Sequence, residues 1–206
     1  MDRMMMAVGA LALASGVSSG AVTGVGGAAT VIAPPASTVL GANQSNTQAW
    51  VFTEGTVVLA SALTLNATTP GMYTSAGSLT PGSVAAGTTV QSHYLYTDPD
   101  GSAARTYEGF VEFDQPILGV IVLRSNLNAS DAALGAPGTA YADNAARGLE
   151  LGSNADAFAI TVSQFRVNFR FVTSTATDDI RIITAPAPAG AALAGLCGLV
   201  ALRRRR

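Results

Sequence analysis

Residues 164–173 alternate between apolar and polar side chains over the length of a strand. The apolar set is Phe165, Val167, Phe169 and Phe171, and the polar set is Arg166, Asn168 and Arg170. A helix would scatter these aromatic side chains around its circumference, whereas a strand gathers them on one face of a sheet. Each phenylalanine that is buried stabilises a fold by roughly 1.5–3 kcal/mol. The pattern therefore predicts a strand at the centre of a hydrophobic core.

Further strands are predicted from the same period of two. They fall at 56–65, 88–96, 107–113, 158–162 and 179–184. Residues 117–123 form a near-continuous apolar run, which is typical of a strand buried on both faces. Turn sequences rich in Gly and Pro separate these segments, and one short helical turn is predicted at 130–134. The predicted fold class is all-β: an antiparallel β-sandwich of the jelly-roll kind over residues 38–184.

The charge of the middle segment limits its partners. Residues 22–184 hold six arginines and twelve acidic residues, a net charge of −6, and the chain has no lysine. Because nucleic-acid phosphates need a basic surface, this charge argues against nucleic acid as a partner. Cys197 is the single cysteine, so the middle segment can form no disulfide and must depend on core burial for its stability.

The N-terminus has the pattern of a secretory signal peptide. Arg3 precedes an apolar run of about eleven residues, and small residues at 19–21 allow cleavage after Ala21. The apolar run is too short to span a bilayer as a helix. We therefore expect a signal peptide at 1–21.

The segment that follows, 22–37, is rich in Gly, Ala, Thr and Pro. Such a composition favours a flexible linker. We expect most of the segment to be poorly ordered, with some of its apolar residues adding an edge strand to the domain.

The C-terminus carries three features in a fixed order. The motif Pro186-Ala187-Pro188 precedes fourteen apolar residues, 189–202, and four arginines follow. As a helix, the apolar stretch would reach about 21 Å, which is shorter than a ~30 Å hydrocarbon core. Terminal arginines stay on the cytoplasmic side of a membrane. We expect 189–202 to hold the protein in the inner membrane transiently, with the folded part outside.

Residues 185–206 resemble the PEP-CTERM sorting signal of Gram-negative bacteria, although Ala187 stands where that family has glutamate. The resemblance implies that a membrane exosortase recognises the tail and releases or transfers the protein to the cell surface or the medium. It also implies an association with exopolysaccharide and biofilm. The sorting residues that it implies are Pro186, Ala187, Pro188, Arg203, Arg204, Arg205 and Arg206. An ordinary C-terminal membrane anchor is the alternative interpretation.

Residues 80–184 also resemble a group of bacterial secreted β-sandwich domains. The segments that carry this resemblance are 87–90, 113–121 and 147–151. Such domains often precede the same kind of tail, so the resemblance implies a fold and a location. It implies no activity.

Acidic residues provide the candidates for a calcium site. Asp98, Asp100 and Asp114 have the oxygen ligands that calcium takes, but the sequence Asp98-Pro99-Asp100-Gly101 lacks the further acids of a calcium loop. A plain β-turn is the favoured interpretation there. Asp178-Asp179 is a second acidic pair, which we expect to begin the last strand. No metal or cofactor residue is assigned, and calcium near Asp98 and Asp100 is left open.

Glu108, Glu112 and His93 are the candidates for catalysis. The two glutamates would lie about 13 Å apart along one strand, beyond the ~5–9.5 Å that separates glycosidase carboxylates. We predict that they pair with Arg166 and Arg170 across the sheet. His93, the only histidine, is predicted to be exposed on a strand, with a Ser-His-Asp triad as the alternative. No catalytic residue is assigned.

Three functions compete at this point. The leading hypothesis is a non-enzymatic protein of the envelope or extracellular matrix. The second is a secreted lectin-like module in which Trp50, Tyr94 and Tyr96 stack on sugars, which requires these aromatics to be exposed together. The third is a secreted hydrolase, which requires a concave pocket with an acid and a base of perturbed pKa.

Overall fold

Strands account for most of the regular structure in this chain. A computed structural model describes residues 21–152 and 156–187. The predicted signal peptide up to residue 20, the apolar stretch 189–202 and the four arginines lie outside the described residues. No helix in the described part of the chain has the length and apolar character needed to cross a bilayer.

The first sheet, sheet I, has five antiparallel strands in the order β1-β8-β11-β10-β5. Their bounds are β1 Val22–Gly27, β5 Gly71–Tyr73, β8 Arg105–Phe113, β10 Ala157–Ile160 and β11 Arg166–Thr173. The strand predicted from the alternation at 164–173 is β11, which lies at the centre of this sheet. Val167, Phe169 and Phe171 are buried, as predicted. Phe165 lies just before the strand and is partly exposed, which corrects its predicted place in the core.

The second sheet, sheet II, has the order β2-β3-β7-β12-β9. Its strands are β2 Ala29–Val31, β3 Ala49–Val58, β7 Thr89–Thr97, β9 Ile117–Ile121 and β12 Asp179–Thr184. All neighbours pair antiparallel except β2 and β3, which are parallel. The remaining elements are a small two-stranded sheet of β4 Leu63–Leu65 and β6 Gly82–Val84, a 3-10 helix Ala76–Ser78 and the helix α1 Arg124–Leu134.

The main hydrophobic core joins apolar residues of the two sheets. Phe169 and Phe171 of β11 share this core with Val51 of β3, Leu95 of β7 and Ile182 of β12. Phe169 and Phe171 also contact each other, with ring centroids 4.9 Å apart. The all-β class and the packing of antiparallel sheets are therefore confirmed.

Sheet II is covered on its second face as well. There Phe52 of β3 and Tyr94 and Tyr96 of β7 form a second core with Leu127 and Leu134 of α1. Every residue of β12 is buried, and so is β7 after its first residue. The strands β7 and β12 therefore have no face in contact with water.

The helix is longer than predicted. Instead of one turn at 130–134, α1 runs from Arg124 to Leu134, and Ser130 lies in its interior rather than at its cap. The Ser130 hydroxyl donates to the carbonyl of Leu127. The residues Leu127, Ser130 and Leu134 face sheet II, so packing against the sheet stabilises a segment whose own apolar pattern is weak.

The segment 22–37 was predicted to be a poorly ordered linker, and the structure corrects this. It contains β1 and β2, which are edge strands of sheets I and II; the expectation of an edge strand is confirmed. One of its glycines allows close packing. Gly27 has a φ of +67°, and a Cβ at this position would overlap the backbone carbonyl oxygen of Glu108 in β8. The composition that suggests flexibility is instead needed for contact with β8.

Candidate functional site

The outward face of sheet I carries paired charges. Arg166 lies opposite Glu112 in the register of β11 and β8, and Arg170 lies opposite Glu108. The Arg166 Nη2 to Glu112 Oε1 distance is 2.5 Å, and Arg170 Nε is 3.1 Å from Glu108 Oε1. The predicted cross-strand pairing of Glu108 and Glu112 with these arginines is confirmed. Both pairs are partly exposed, so each contributes little to stability.

His93 is fully buried, which makes the predicted exposed position wrong. Its Nδ1 is 3.0 Å from the Thr53 hydroxyl and its Nε2 is 3.3 Å from the Thr184 hydroxyl. Its ring packs on Phe113, with centroids 4.7 Å apart. Burial lowers the pKa of His93 to about 3, so the ring is neutral at physiological pH. The exposed position fails because β7, which carries His93, is buried on both faces.

The three aromatics of the lectin hypothesis do not form an exposed platform. Tyr94 and Tyr96 are fully buried, and Trp50 is half-buried. Trp50 donates its indole N–H to the carbonyl of Asn43, 2.7 Å away. A sugar-binding surface built from these residues is therefore excluded.

A buried ion pair connects two strands of sheet II. Arg181 of β12 binds Glu54 of β3 through two bonds, Nε to Oε2 at 2.7 Å and Nη2 to Oε1 at 2.8 Å. Both side chains are completely buried. Glu54 also accepts hydrogen bonds from the Ser92 and Tyr141 hydroxyls. The four bonds fill the acceptor sites of this carboxylate.

The same arginine holds the helix. Arg181 Nη1 donates to the Ser130 hydroxyl at 2.5 Å, and Nη2 donates to Asp131 Oδ1 at 3.0 Å. Arg147 binds both oxygens of Asp131, at 2.6 and 2.8 Å, and donates to the Tyr94 hydroxyl. Burial raises the pKa of Tyr94 well above its ordinary value, so its hydroxyl stays neutral. We call Arg181, Glu54, Asp131, Arg147 and Tyr94 the buried network.

Two arginines face two carboxylates in the buried network, so its formal charges balance. Its hydrogen bonds join α1 and the loop that contains Arg147 to the middle of sheet II. This arrangement fixes the position of the helix, and we assign it a structural role. The sequence signal for it was the placement of Arg181 between Ile180 and Ile182, and of Glu54 in an otherwise uncharged strand.

The acids proposed for calcium at the turn have other roles. Asp98 is buried and accepts the backbone N–H groups of Gly41, at 2.7 Å, and Asn43, at 2.6 Å. Asp114 accepts the backbone N–H of Ala21 at 2.7 Å, and the backbone N–H of Asp100 donates to Asn46. Asp98 therefore orders the loop before β3, and these acids do not form a cluster of three or more among the described residues.

A different group of three acids does come together. Carboxylate oxygens of Glu150, Asp156 and Asp178 all lie within 4.8 Å of one another. We call these residues the acidic triplet. Burial and the neighbouring carboxylates raise the pKa of Asp178 to about 9 and that of Glu150 to about 7. Sequence reasoning noted Asp178 but had no signal that would bring residues 150 and 156 to it.

A surface groove of about 450 Å³ lies elsewhere. Glu112, Arg166 and Phe165 are among the residues that line it, and the first two are the ion pair of sheet I. The acids with raised pKa values belong to the acidic triplet and are not among its lining residues. Within the described residues, this groove therefore does not combine the features that the hydrolase hypothesis requires.

Comparisons with protein-family models, with curated proteins and with solved structures found no match to this chain. The class of protein is therefore defined by its own fold: an all-β domain of two packed sheets, with one helix fixed to sheet II by the buried network. The function must be argued from the residues themselves.

We predict that replacing Arg181 by Met strongly destabilises the protein, because Glu54 and Asp131 lose a charged partner in or near the core. The expected loss is about 3–5 kcal/mol in the free energy of unfolding. Arg124→Met is the control, since the Arg124–Asp143 pair is largely exposed, and should cost at most about 1 kcal/mol. Urea unfolding measures both, and equal losses in the two variants would contradict the structural role of the network.

His93 gives a second prediction, on pH. Unfolded His93 binds a proton below its ordinary pKa of 6.5, whereas the folded chain resists protonation until about pH 3. Stability therefore falls as the pH falls through this window, by about 1.4 kcal/mol for each pH unit.

The variant His93→Gln lacks this contribution. Its free energy of unfolding, measured by urea titration between about pH 4 and pH 7, should fall less steeply with decreasing pH than that of the original chain. The substitution removes the chain's only histidine and leaves every other titrating group in place. A difference in slope between the two proteins therefore reports on His93. Parallel curves for the two would show that His93 is not buried in its neutral form.

Proposed function

We propose that this chain is an exported, non-enzymatic protein of the cell envelope or extracellular matrix, sorted by a PEP-CTERM-like tail. The observation that carries the proposal is the fixed order of the proline motif at 186–188, the apolar stretch 189–202 and the arginines 203–206. An export signal at 1–21 is part of the same proposal. The partners are an exosortase-type enzyme and extracellular polysaccharide.

The positions of the first and last described strands support this proposal. The first strand, β1, begins at Val22, directly after the proposed cleavage site at Ala21. The last strand, β12, ends at Thr184, two residues before the proline motif. Removal of both terminal segments would therefore take no strand from either sheet.

The composition of the domain also agrees with a location outside the cytoplasm. Its described residues contain no cysteine, so an oxidising compartment offers no route to mispairing. The domain depends on its two cores and the buried network instead. We also propose that the sandwich is of the jelly-roll kind, since β7, β8 and β9 pass from sheet II to sheet I and back.

The experiment is mass spectrometry of the protein recovered from its native host. We expect mature material outside the cell that begins at Val22 and has lost Arg203–Arg206. In a variant with these four arginines replaced by glutamine, the tail should stay attached and the protein should accumulate in the membrane fraction. The control, Arg124→Gln, alters an exposed arginine of the domain and should be processed normally.

Two results would contradict the proposal. Exported protein that still ends at Arg206 would show that the tail is not a processing signal. Full-length protein found only in the membrane, with the glutamine variant behaving identically, would favour the ordinary anchor.

A further inference from the structure

The acidic triplet joins two segments that are distant in sequence: the loop before β10 and the residue before β12. Glu150 lies in the loop before β10, Asp156 directly precedes that strand in sheet I, and Asp178 directly precedes β12 in sheet II. Their carboxylate oxygens lie within 4.8 Å of one another, although like charges at this distance repel strongly in a partly buried site. Such an arrangement is neutralised either by bound protons or by a cation.

Asp156 and Asp178 differ in the number of hydrogen bonds that their carboxylates accept. Asp156 accepts the backbone N–H of Glu150 at 2.8 Å and that of Val172 at 2.9 Å. Asp178 is 1% exposed, yet its Oδ2 has no hydrogen-bond partner within the described residues. A buried oxygen without a partner costs about 1–3 kcal/mol, and more when it is charged. This oxygen is therefore an independent sign that the cluster receives a ligand.

The chemistry of the group defines the ligand. All three side chains offer oxygen atoms, and the chain's only histidine, His93, is not a member of the group. Oxygen-only sites suit hard divalent cations. Calcium binds oxygens at about 2.3–2.6 Å, so ligands on opposite sides of the ion stand up to about 5 Å apart, which covers the spacing found here.

Access and charge also fit a cation. Glu150 is exposed, so an ion can reach the site from solvent along its side chain. The nearby charge of Arg170 acts on Asp156 and offsets part of the negative charge, while Asp179 adds to it near Glu150. The group therefore keeps an excess of negative charge that one divalent ion would neutralise.

We propose that Glu150, Asp156 and Asp178 form a calcium site that ties the start of β10 in sheet I to the start of β12 in sheet II. Glu150 supplies an exposed carboxylate, and Asp178 supplies the buried oxygen that has no hydrogen-bond partner among the described residues. Asp156 is already oriented by two backbone groups and contributes a remaining lone pair. In the absence of calcium, shared protons are the alternative means of neutralising the group.

The test uses the purified full chain in detergent, stripped with EDTA and then given CaCl2 or MgCl2. With a dissociation constant in the range of extracellular modules, about 10⁻⁴–10⁻³ M, about 10 mM calcium should raise the Tm by roughly 3–10 °C. Magnesium should raise it less, because it demands shorter and more regular coordination. Calorimetric titration with CaCl2 measures the binding directly.

Three variants locate the site. Asp178→Asn and Glu150→Gln should each lose the calcium-dependent rise in Tm and at least tenfold in affinity. Asp100→Asn, which removes an exposed acid of the turn at 98–101, should respond to calcium like the original chain. Because Glu150 is exposed, Glu150→Gln remains informative if the buried Asp178→Asn fails to fold.

Several outcomes would overturn the proposal. An original chain whose Tm and heat signal do not change with calcium would show that protons alone neutralise the triplet. A response that survives in Glu150→Gln, or that disappears in Asp100→Asn, would place the ion elsewhere. An equal response to magnesium would overturn the choice of calcium.

Discussion

Burial of β7 and β12 on both faces removes their charged and titratable side chains from water. One face packs against the phenylalanines of sheet I, and the other against α1. Arg181 instead binds Glu54 and Asp131, and His93 stays neutral between two threonine hydroxyls. A buried charge without such partners would cost several kcal/mol. The buried network therefore allows α1 to pack over β12 although that strand carries the charged side chain of Arg181.

The period of two predicted several strands, but it also joined 56–65 into one strand where the structure has the end of β3 and the separate strand β4. Alternation identified β11, and it identified the pairing of Glu108 and Glu112 with arginines, because cross-strand neighbours share a face. It could not reveal that α1 covers the second face of sheet II. For that reason His93, Tyr94 and Tyr96 were assigned to exposed or sugar-binding positions. The acidic triplet could not be predicted from the sequence, because only the tertiary fold brings Asp178 to Glu150 and Asp156.

The edges of the domain connect its fold to the proposed function. Gly27 lets β1 lie against β8, and β1 begins directly after the proposed cleavage site at Ala21. At the other end, the backbone N–H of Ala185 donates to the carbonyl of Pro116, beside β9, before the sorting motif begins. Both positions agree with the proposed removal of the two terminal segments.

Native-state hydrogen exchange, measured amide by amide on the purified protein, tests the central claim most directly. If β7 and β12 are buried on both faces, their amides should exchange only through global unfolding and should be the slowest in the domain. Amides of the edge strands β1 and β5 should exchange much faster, through local opening. Exchange in β7 and β12 as fast as in these edge strands would contradict the account.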